Sequence, residues 1–482
     1  MTLVSAIVLL ASPGFAEIPI PAVPPALGPS FTGTPATAQP LPHIPVPQNP
    51  FLGADGYNSM HNDAYSSNGY AVSGPLGHDL AVTSASYGVS ECATVAFDAQ
   101  GRIVGLCGGL QGFALNLIDP VTLHQIATMT TSTRDLAQLQ NPFTDLCGGT
   151  YFYLDASNRA WVVTTSKKIL EVQVTATGFS LLRTYDVSAS MPTDDCMIAT
   201  MPDWKGNIFF ATKQARVGVI NRTTGAVKTV QFAGDAIENS ISGDQTGAIY
   251  VATDHRLAAV AANADGQPVV RWATPYDRGT RVKPGQLSQG TGTTPALIGT
   301  GIVAITDNAD PQMHVQFYAR TGSAAGKLLC QAAVFTPGQS DTENSLTVAD
   351  GNSVIVENNY GYTAPVATML GKSTTPGVAK VVMGSDHRCR VAWTNPISAP
   401  TSVPKISWGN GLVYVYAKPA STNPLDDDWY FAAINARTGA TAWKQLTGNG
   451  VQWNNHYASI YIGPDGSAYI STLMGLIRLK DG

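Results

Sequence analysis

The sequence lacks the local motifs of several common enzyme classes. It has no glycine-rich phosphate loop between a strand and a helix, no Gly-x-Ser-x-Gly nucleophile motif and no His-Glu-x-x-His zinc motif. Charged residues make up only 13% of the chain, the formal net charge is −5, and lysine and arginine form no cluster. These absences exclude P-loop nucleotide chemistry, α/β-hydrolase and zinc-peptidase chemistry, and a nucleic-acid partner.

No apolar run is long enough to cross a membrane as a helix. The run at residues 4–12 is followed by small residues around Gly14 and Ala16, a pattern that is typical of a secretory signal peptide. Neither lysine nor arginine precedes the run, so an ordinary N-terminal tail is the alternative. We predict a signal peptide over residues 1–16 and a protein that is secreted or held in the periplasm or cell envelope.

The six cysteines agree with such a compartment, because an even number permits disulfides. If Ala99 and Gln100 form a two-residue hairpin turn, Cys92 and Cys107 face each other across that hairpin. The spacing Cys-x-x-Cys is absent, so the sequence does not predict structural zinc.

Internal repetition is the strongest feature that is present. A pattern of apolar strand, Asp-x-x-Gly turn and apolar strand recurs, most clearly in residues 238–254. Successive units begin roughly 50 residues apart, which suits four-stranded blades, so we predict an all-β chain folded as a single β-propeller. The predicted innermost strands begin at Glu91, Thr150, Asp194, Glu238, Thr291, Glu343, Val403 and Asn455. Eight blades are expected, or seven if the unit at Thr150 or at Thr291 is an insertion.

The last unit contains too few strands for a full blade. We expect the strand at residues 80–87 to complete it and so close the ring. Residues 17–56 are rich in proline and show no strand or helix period, which predicts an extended, mobile leader. The propeller domain is therefore assigned to residues 57–482.

Two segments carry a resemblance to a known family. The stretch Met60-His61-Asn62-Asp63, followed by Gly74-Pro75, is similar to the leading segment of the propeller in pyrroloquinoline-quinone enzymes. Residues 433–443 look like the tryptophan-docking repeat of quinoproteins, in which a tryptophan, here Trp443, packs between neighbouring blades. Over roughly residues 57–482 the chain thus resembles the quinoprotein-alcohol-dehydrogenase-like propeller superfamily, in an exported and uncharacterised branch.

The resemblance implies two kinds of function. Members of this superfamily include dehydrogenases that carry pyrroloquinoline quinone and outer-membrane assembly scaffolds that carry no cofactor. The adjacent cysteines that flank the quinone in methanol-oxidising enzymes are absent here, as is a Cys-x-x-Cys-His haem motif. A quinone is therefore an expected cofactor only by resemblance, and any electrons would need an external acceptor.

Polar residues are expected at one mouth of the central channel, because innermost strands begin there and second strands end there. Carboxylates mixed with amides suit Ca²⁺, which takes six to eight oxygen ligands. The set also resembles the calcium sites of gluconolactonase- and paraoxonase-type propellers. The predicted cation ligands are Glu238, Asp307, Glu343 and Asn358. The alternative is that such groups cap strand ends and satisfy loop backbone.

Proton transfer is assigned to His456 or Asp254. His456 precedes an innermost strand and should face the channel, and Asp254 ends a second strand. The leading hypothesis is an exported enzyme that acts on a small polar substrate at the channel mouth, either a Ca²⁺-assisted oxidoreductase or a lactonase-type hydrolase. The rival hypothesis is a non-catalytic binding or scaffold propeller that holds a protein or glycan partner. We expect a monomer in either case.

Overall fold

The computed structural model describes residues 18–134, 145–148 and 150–482, so the predicted signal peptide lies outside the described residues. The described residues form 34 strands and four short 3₁₀ helices. The strands make eight sheets, each built mainly from four antiparallel strands that are consecutive in the sequence. The all-β, eight-bladed propeller that the repeat predicts is therefore confirmed.

Three strands precede the repeat. They are β1 (Phe31–Gly33), β2 (Gly69–Tyr70) and β3 (Ala81–Ser86). Blades one and two comprise β4 (Glu91–Phe97), β5 (Ile103–Gly109), β6 (Gly112–Ile118), β7 (Gln125–Thr133), β8 (Phe152–Leu154), β9 (Arg159–Val163), β10 (Lys168–Val174) and β11 (Phe179–Asp186). Blades three and four comprise β12 (Met197–Pro202), β13 (Ile208–Thr212), β14 (Arg216–Ile220), β15 (Val227–Gln231), β16 (Ser242–Gly243), β17 (Ala248–Ala252), β18 (Arg256–Ala262) and β19 (Pro268–Pro275).

The second half of the ring repeats this order. Blades five and six comprise β20 (Ala296–Ile298), β21 (Ile302–Thr306), β22 (His314–Ala319), β23 (Leu328–Ala333), β24 (Thr347–Val348), β25 (Ser353–Glu357), β26 (Val378–Met383) and β27 (Cys389–Asn395). Blades seven and eight comprise β28 (Lys405–Ser407), β29 (Leu412–Ala417), β30 (Asp428–Asn435), β31 (Thr441–Asn449), β32 (Ile460–Ile462), β33 (Ala468–Thr472) and β34 (Gly475–Lys480). The 3₁₀ helices are Ser188–Ser190, Gly322–Ala324, Pro365–Thr368 and Val451–Trp453.

The turn between the first two strands of a blade shows why the repeat carries Asp-x-x-Gly. In blade one, Asp98 Oδ1 accepts the N–H groups of Gln100 and Arg102 at 2.9 and 2.8 Å. Gly101 adopts a φ of +76°, a conformation that costs glycine little. The side chain and the glycine together fix a tight hairpin, and the apolar strands on either side then pack on the neighbouring blades.

The ring closes as predicted. The strand β3 pairs antiparallel with β34 over six residues, from Ala81 opposite Lys480 to Ser86 opposite Gly475. It is the outermost strand of blade eight, so the end of the sequence and its early part share one sheet. The units that begin at Thr150 and Thr291 are both complete blades, which rules out the seven-bladed alternative.

The prediction of a mobile leader is wrong for its described part, residues 18–56. The segment is extended, but β1 adds to the outer edge of blade seven by pairing with β31. Arg437 donates to the carbonyls of Gln39 and Pro40 at 2.9 Å each, and Ile20 is buried in an apolar cluster. The prolines of this segment have no backbone N–H to donate, but the backbone carbonyls and the other side chains can still make such contacts.

Three disulfides link neighbouring parts of the ring. Cys92 and Cys107 join β4 to β5, so the predicted disulfide is confirmed. The predicted two-residue turn is wrong, because Phe97 pairs with Ile103, and a bulge between Cys92 and Thr94 brings the two cysteines opposite each other. The other two, Cys147–Cys196 and Cys330–Cys389, connect successive blades. Trp443 is fully buried in the apolar cluster that joins blades seven and eight, as the docking motif predicts. None of the helices among the described residues is long and apolar enough to cross a membrane.

Candidate functional site

Residues 57–70, which we call the floor segment, cross one end of the central channel. Their carbonyls accept backbone N–H groups from the ends of innermost strands in six blades. One donor from each of these six blades is the backbone N–H of Phe97, Leu154, Gly243, Leu297, Val348 or Ile406. The stretch that resembles quinoprotein sequences is therefore structural here, because it closes the channel at the end where the innermost strands finish.

A single buried lysine braces the floor segment. Lys405, from the innermost strand of blade seven, is fully buried and donates to the side-chain oxygens of Asn62 and Asn68 at 2.8 and 2.6 Å. His61 bonds through Nδ1 to Asn68 Oδ1 at 3.1 Å and through Nε2 to Thr294 Oγ1 at 3.2 Å. Burial, reinforced by the charge of Lys405, lowers the pKa of His61 to about 3, so its ring is neutral.

Above the floor segment lies a cavity of about 130 Å³, which we call the channel cavity. Since a cavity of about 10–15 Å³ already holds one water molecule, this cavity has room for several. Met60 and His61 line its lower end. Three glutamates from blades one, four and six line its walls, with amides and aromatic rings between them: Glu91, Glu238, Glu343, Asn239, Asn344, Phe113, Tyr151 and Tyr457. The cavity is therefore acidic and large enough for a small polar ligand.

The three glutamates differ in their surroundings. Burial raises the pKa of Glu343 well above its usual range, and the charge of Glu238 raises it further. Burial likewise raises the pKa of Glu91, while the backbone N–H of Ala458 opposes that shift. Glu238 instead forms an ion pair with Lys213, whose Nζ lies 3.4 Å from its carboxylate. One ion-paired carboxylate and two that hold protons readily thus face the same cavity.

The mouth of the cavity is framed by residues 276–295, which we call the mouth loop. Leu287 donates its N–H to Glu343 Oε2 at 3.2 Å, and Tyr457 donates its hydroxyl to the carbonyl of Gly285 at 3.1 Å. His456 and Tyr457 both have positive φ, 38° and 69°. The His456 ring is anchored through Nδ1 to the hydroxyl of Tyr362 at 2.9 Å. His456 lines the cavity, where the sequence placed it.

Asp254, the second predicted proton-transfer residue, does not line the channel cavity. Its carboxylate bonds to Arg278, to the N–H of Ala236 at 2.7 Å and to Nδ1 of His255 at 2.9 Å. With Asp235 and His255 it forms the only group of three potential metal ligands within 4.8 Å of one another among the described residues. Two arginines already balance both carboxylates, since Arg256 pairs with Asp235 at 2.7 Å.

The four predicted cation ligands do not all converge. Glu238 and Glu343 line the channel cavity, and the other two do not. Asp307 binds His314 through its backbone N–H at 2.6 Å and through Nδ1 at 2.9 Å. Asn358 donates to the carbonyl of Gln339 at 3.0 Å and accepts the N–H of Asp341 at 3.3 Å. Asp307 and Asn358 therefore hold loops together, which matches the strand-capping alternative.

Glu91 takes their place on the wall of the channel cavity, and the predicted ligand set omits it. The sequence contained a usable signal, because Glu91, Glu238 and Glu343 occupy equivalent positions shortly before or at the start of an innermost strand. The mouth loop had no such signal, since it belongs to no repeat. Its contacts with Glu343 and Tyr457 become visible only in the fold.

The donor set of the channel cavity fits a hard cation and does not fit the quinone. Carboxylate and amide oxygens are the ligands that Ca²⁺ prefers, and Glu91, Glu238, Glu343, Asn239 and Asn344 supply both. Pyrroloquinoline quinone carries three carboxylates, which would face three glutamates across the same small cavity. Arg134 is the arginine that lines the cavity, and it is ion-paired with Asp145 at 3.2 Å.

Comparison with known proteins adds little about function. No family model matches the chain. An uncharacterised protein of Archaeoglobus fulgidus is 28% identical over 312 residues, which cover 57% of this chain and 59% of that protein. The chain thus aligns with less than two thirds of the length of this relative.

Solved β-propellers resemble the chain only distantly. Streptogramin B lyase has a TM-score of 0.41 at 9% identity and covers 83% of this chain and 98% of its own. BamB from Moraxella catarrhalis has a TM-score of 0.40 at 11% identity, with 67% and 93% covered, and U3-55K has 0.42 at 11%, with 76% and 98% covered. At such scores these likenesses say nothing about function. The residues of the chain itself show an eight-bladed propeller with an acidic channel cavity.

Proposed function

We propose that this protein is an exported enzyme that hydrolyses a small polar substrate, of the lactone class, in the channel cavity with the help of a hard cation such as Ca²⁺. The observation that carries the proposal is the convergence of Glu91, Glu238 and Glu343 from three blades on one cavity that the floor segment closes. Export is supported by the three disulfides, which persist in oxidising compartments.

Glu238 and Glu343 would hold the cation, with Glu91 and the amides of Asn239 and Asn344 completing the oxygen set. When bound there, the cation would supply polarisation of a substrate carbonyl and a lower pKa for a neighbouring water. Among the described residues the three glutamates do not come within 4.8 Å of one another as a group, so water or substrate oxygens would have to complete the coordination. Because burial raises the pKa of Glu343, cation binding there displaces a proton.

His456 moves the proton in hydrolysis. Its ring lines the cavity, and the Tyr362 hydroxyl fixes its orientation through Nδ1. It takes a proton from the attacking water and returns one to the leaving alkoxide, so the reaction consumes one water and needs no other reactant. We favour hydrolysis over the oxidoreductase reading because oxidation needs an electron acceptor and the cavity does not fit the quinone.

The test uses chelator-treated full-length protein. Calcium binding is measured by isothermal titration calorimetry, and hydrolysis of a panel of aliphatic and sugar lactones is followed with a pH indicator, with and without CaCl₂. Glu238→Gln should abolish calcium-dependent hydrolysis. His456→Asn should leave calcium binding in place and reduce kcat by about 10²-fold or more. Asp386→Asn, a change at an exposed turn, is the matched control.

Two results would overturn the proposal. Hydrolysis that is equal with and without calcium, or equal in wild type and Glu238→Gln, would show that the cation has no part in catalysis. If no lactone is hydrolysed by protein that binds calcium, the non-catalytic binding hypothesis replaces the enzyme.

A further inference from the structure

A second acidic group, distinct from the channel cavity, lies behind the mouth loop. Asp341 precedes the innermost strand of blade six, and its side chain is fully buried. Within the described part of the chain, neither of its carboxylate oxygens has a hydrogen-bond partner. A buried carboxylate without partners is costly, so this group calls for a compensating charge.

The cations near Asp341 do not supply that compensation. The ammonium of Lys283 donates elsewhere, to the carbonyls of Ala309 at 2.7 Å and Ser340 at 3.3 Å. Two glutamates of the same blade, Glu343 and Glu357, interact electrostatically with Asp341 and add negative charge. An ionised Asp341 is therefore not offset by its own surroundings.

The surroundings of Asp341 are rich in oxygen. Its Oδ1 and the carbonyl oxygen of Asn359 lie on the same side of Gly285, where an added Cβ would come within 2.5 and 2.4 Å of them. Asn308 is fully buried in blade five, and its Oδ1 also lacks a partner among the described residues. Asn308 directly precedes Ala309, and Asp341 directly follows Ser340. The ammonium of Lys283 donates to the carbonyls of Ala309 and Ser340 and so links these two segments.

We propose that Asp341 is the carboxylate ligand of a second cation, a hard ion of the Ca²⁺ class, which it binds together with the carbonyl of Asn359 and water. Oxygen ligands of this kind are what such an ion takes, and Ca²⁺ tolerates irregular geometry. The site goes beyond the proposed catalytic function and does not depend on it. Its role is to fasten the mouth loop.

The contacts around Asp341 explain that role. The carbonyl of Pro284 accepts the N–H of Gly361, and the carbonyl of Gly285 accepts the Tyr457 hydroxyl. Leu287 of the same loop bonds to Glu343 in the channel cavity. A cation at Asp341 offsets the repulsion between this carboxylate and the neighbouring glutamates. Its binding therefore stabilises the mouth loop over the channel, and its loss releases the loop.

The experiment measures calcium effects on chelator-treated protein by thermal melting and by limited proteolysis. Arg281 is exposed in the mouth loop and offers trypsin a cleavage site. CaCl₂ should raise Tm by several degrees and slow cleavage after Arg281 several-fold in wild type and in Glu238→Gln. The slowing of cleavage should vanish in Asp341→Asn, which keeps the shape of the side chain and removes its charge. The rise in Tm should shrink to what the channel cavity alone contributes, while calcium-dependent hydrolysis continues.

The proteolysis of wild type alone keeps the proposal testable if Asp341→Asn does not fold. Equal cleavage with and without calcium would overturn it, and so would calcium protection that persists in Asp341→Asn. Protection that disappears only in Glu238→Gln would assign the effect to the channel cavity. If calcium slows cleavage of wild type but wild type hydrolyses no lactone, the second cation site stands and the proposed function fails. The two failures can therefore be told apart.

Discussion

Lys405 offers a direct test of how the floor segment is held. Replacing it by methionine keeps an unbranched side chain of similar length and removes the three donors of the ammonium. Asn68 Oδ1 retains its bond to His61, but Asn62 Oδ1 and the carbonyl of Met60 lose the lysine donor. An unsatisfied buried acceptor costs about 1–3 kcal/mol, so we expect Lys405→Met to reduce the free energy of unfolding by about 3 kcal/mol.

Two measurements check this prediction. Urea unfolding followed by tryptophan fluorescence gives the free energy, with Lys327→Met, a change at an exposed site, as the matched control. Hydrogen exchange gives the location, because the amides of Gly243, Leu297 and Val348 donate to the floor segment and should exchange faster in the variant. An unfolding free energy within about 0.5 kcal/mol of wild type, with unchanged exchange at these amides, would refute the reasoning.

Three further predictions concern the same fold. Because burial holds the pKa of His61 at about 3, below its ordinary 6.5, unfolding takes up a proton between these values. Stability should therefore fall as pH drops through that window, by at most about 5 kcal/mol, and His61→Asn should flatten the pH dependence of Tm. Trp443→Ala removes a fully buried ring and should cost about 3–5 kcal/mol in urea unfolding, whereas a loss below 1 kcal/mol would contradict its role between blades. Replacing Cys330 and Cys389 by serine opens a link across 59 residues and should cost up to about 4 kcal/mol, with an unchanged Tm as the contrary outcome.

The repeat made the ring predictable from sequence because its signals are local. Asp98 and Gly101 fix a hairpin by contacts within five residues, and the same pattern recurs around the chain. The exact register was less predictable, since the loop is one residue longer than the predicted turn and a bulge between Cys92 and Thr94 then brings Cys92 opposite Cys107. Closure by β3 could be foreseen as well, since the last blade lacked a strand and an open edge is unfavourable.

The candidate site was less predictable because it depends on which way side chains turn where strands end. Asp307 follows β21 directly, yet it turns to His314 on the next strand of its own blade. Glu238 and Glu343 lie in segments that approach the channel before their strands begin, and both reach the cavity. The mouth loop makes its contacts with residues far away in the sequence, so no local pattern encodes them.

The pairing of β3 with β34 also bears on how the chain acquires its shape. Ala81 meets Lys480, so blade eight cannot be completed until nearly the whole domain has been synthesised. Until then β3 has no partner strand, and an unpaired strand invites association with other chains. Such a late, long-range step is slow. A chain that stops short of β34 therefore leaves β3 unpaired, and such a chain is prone to aggregate.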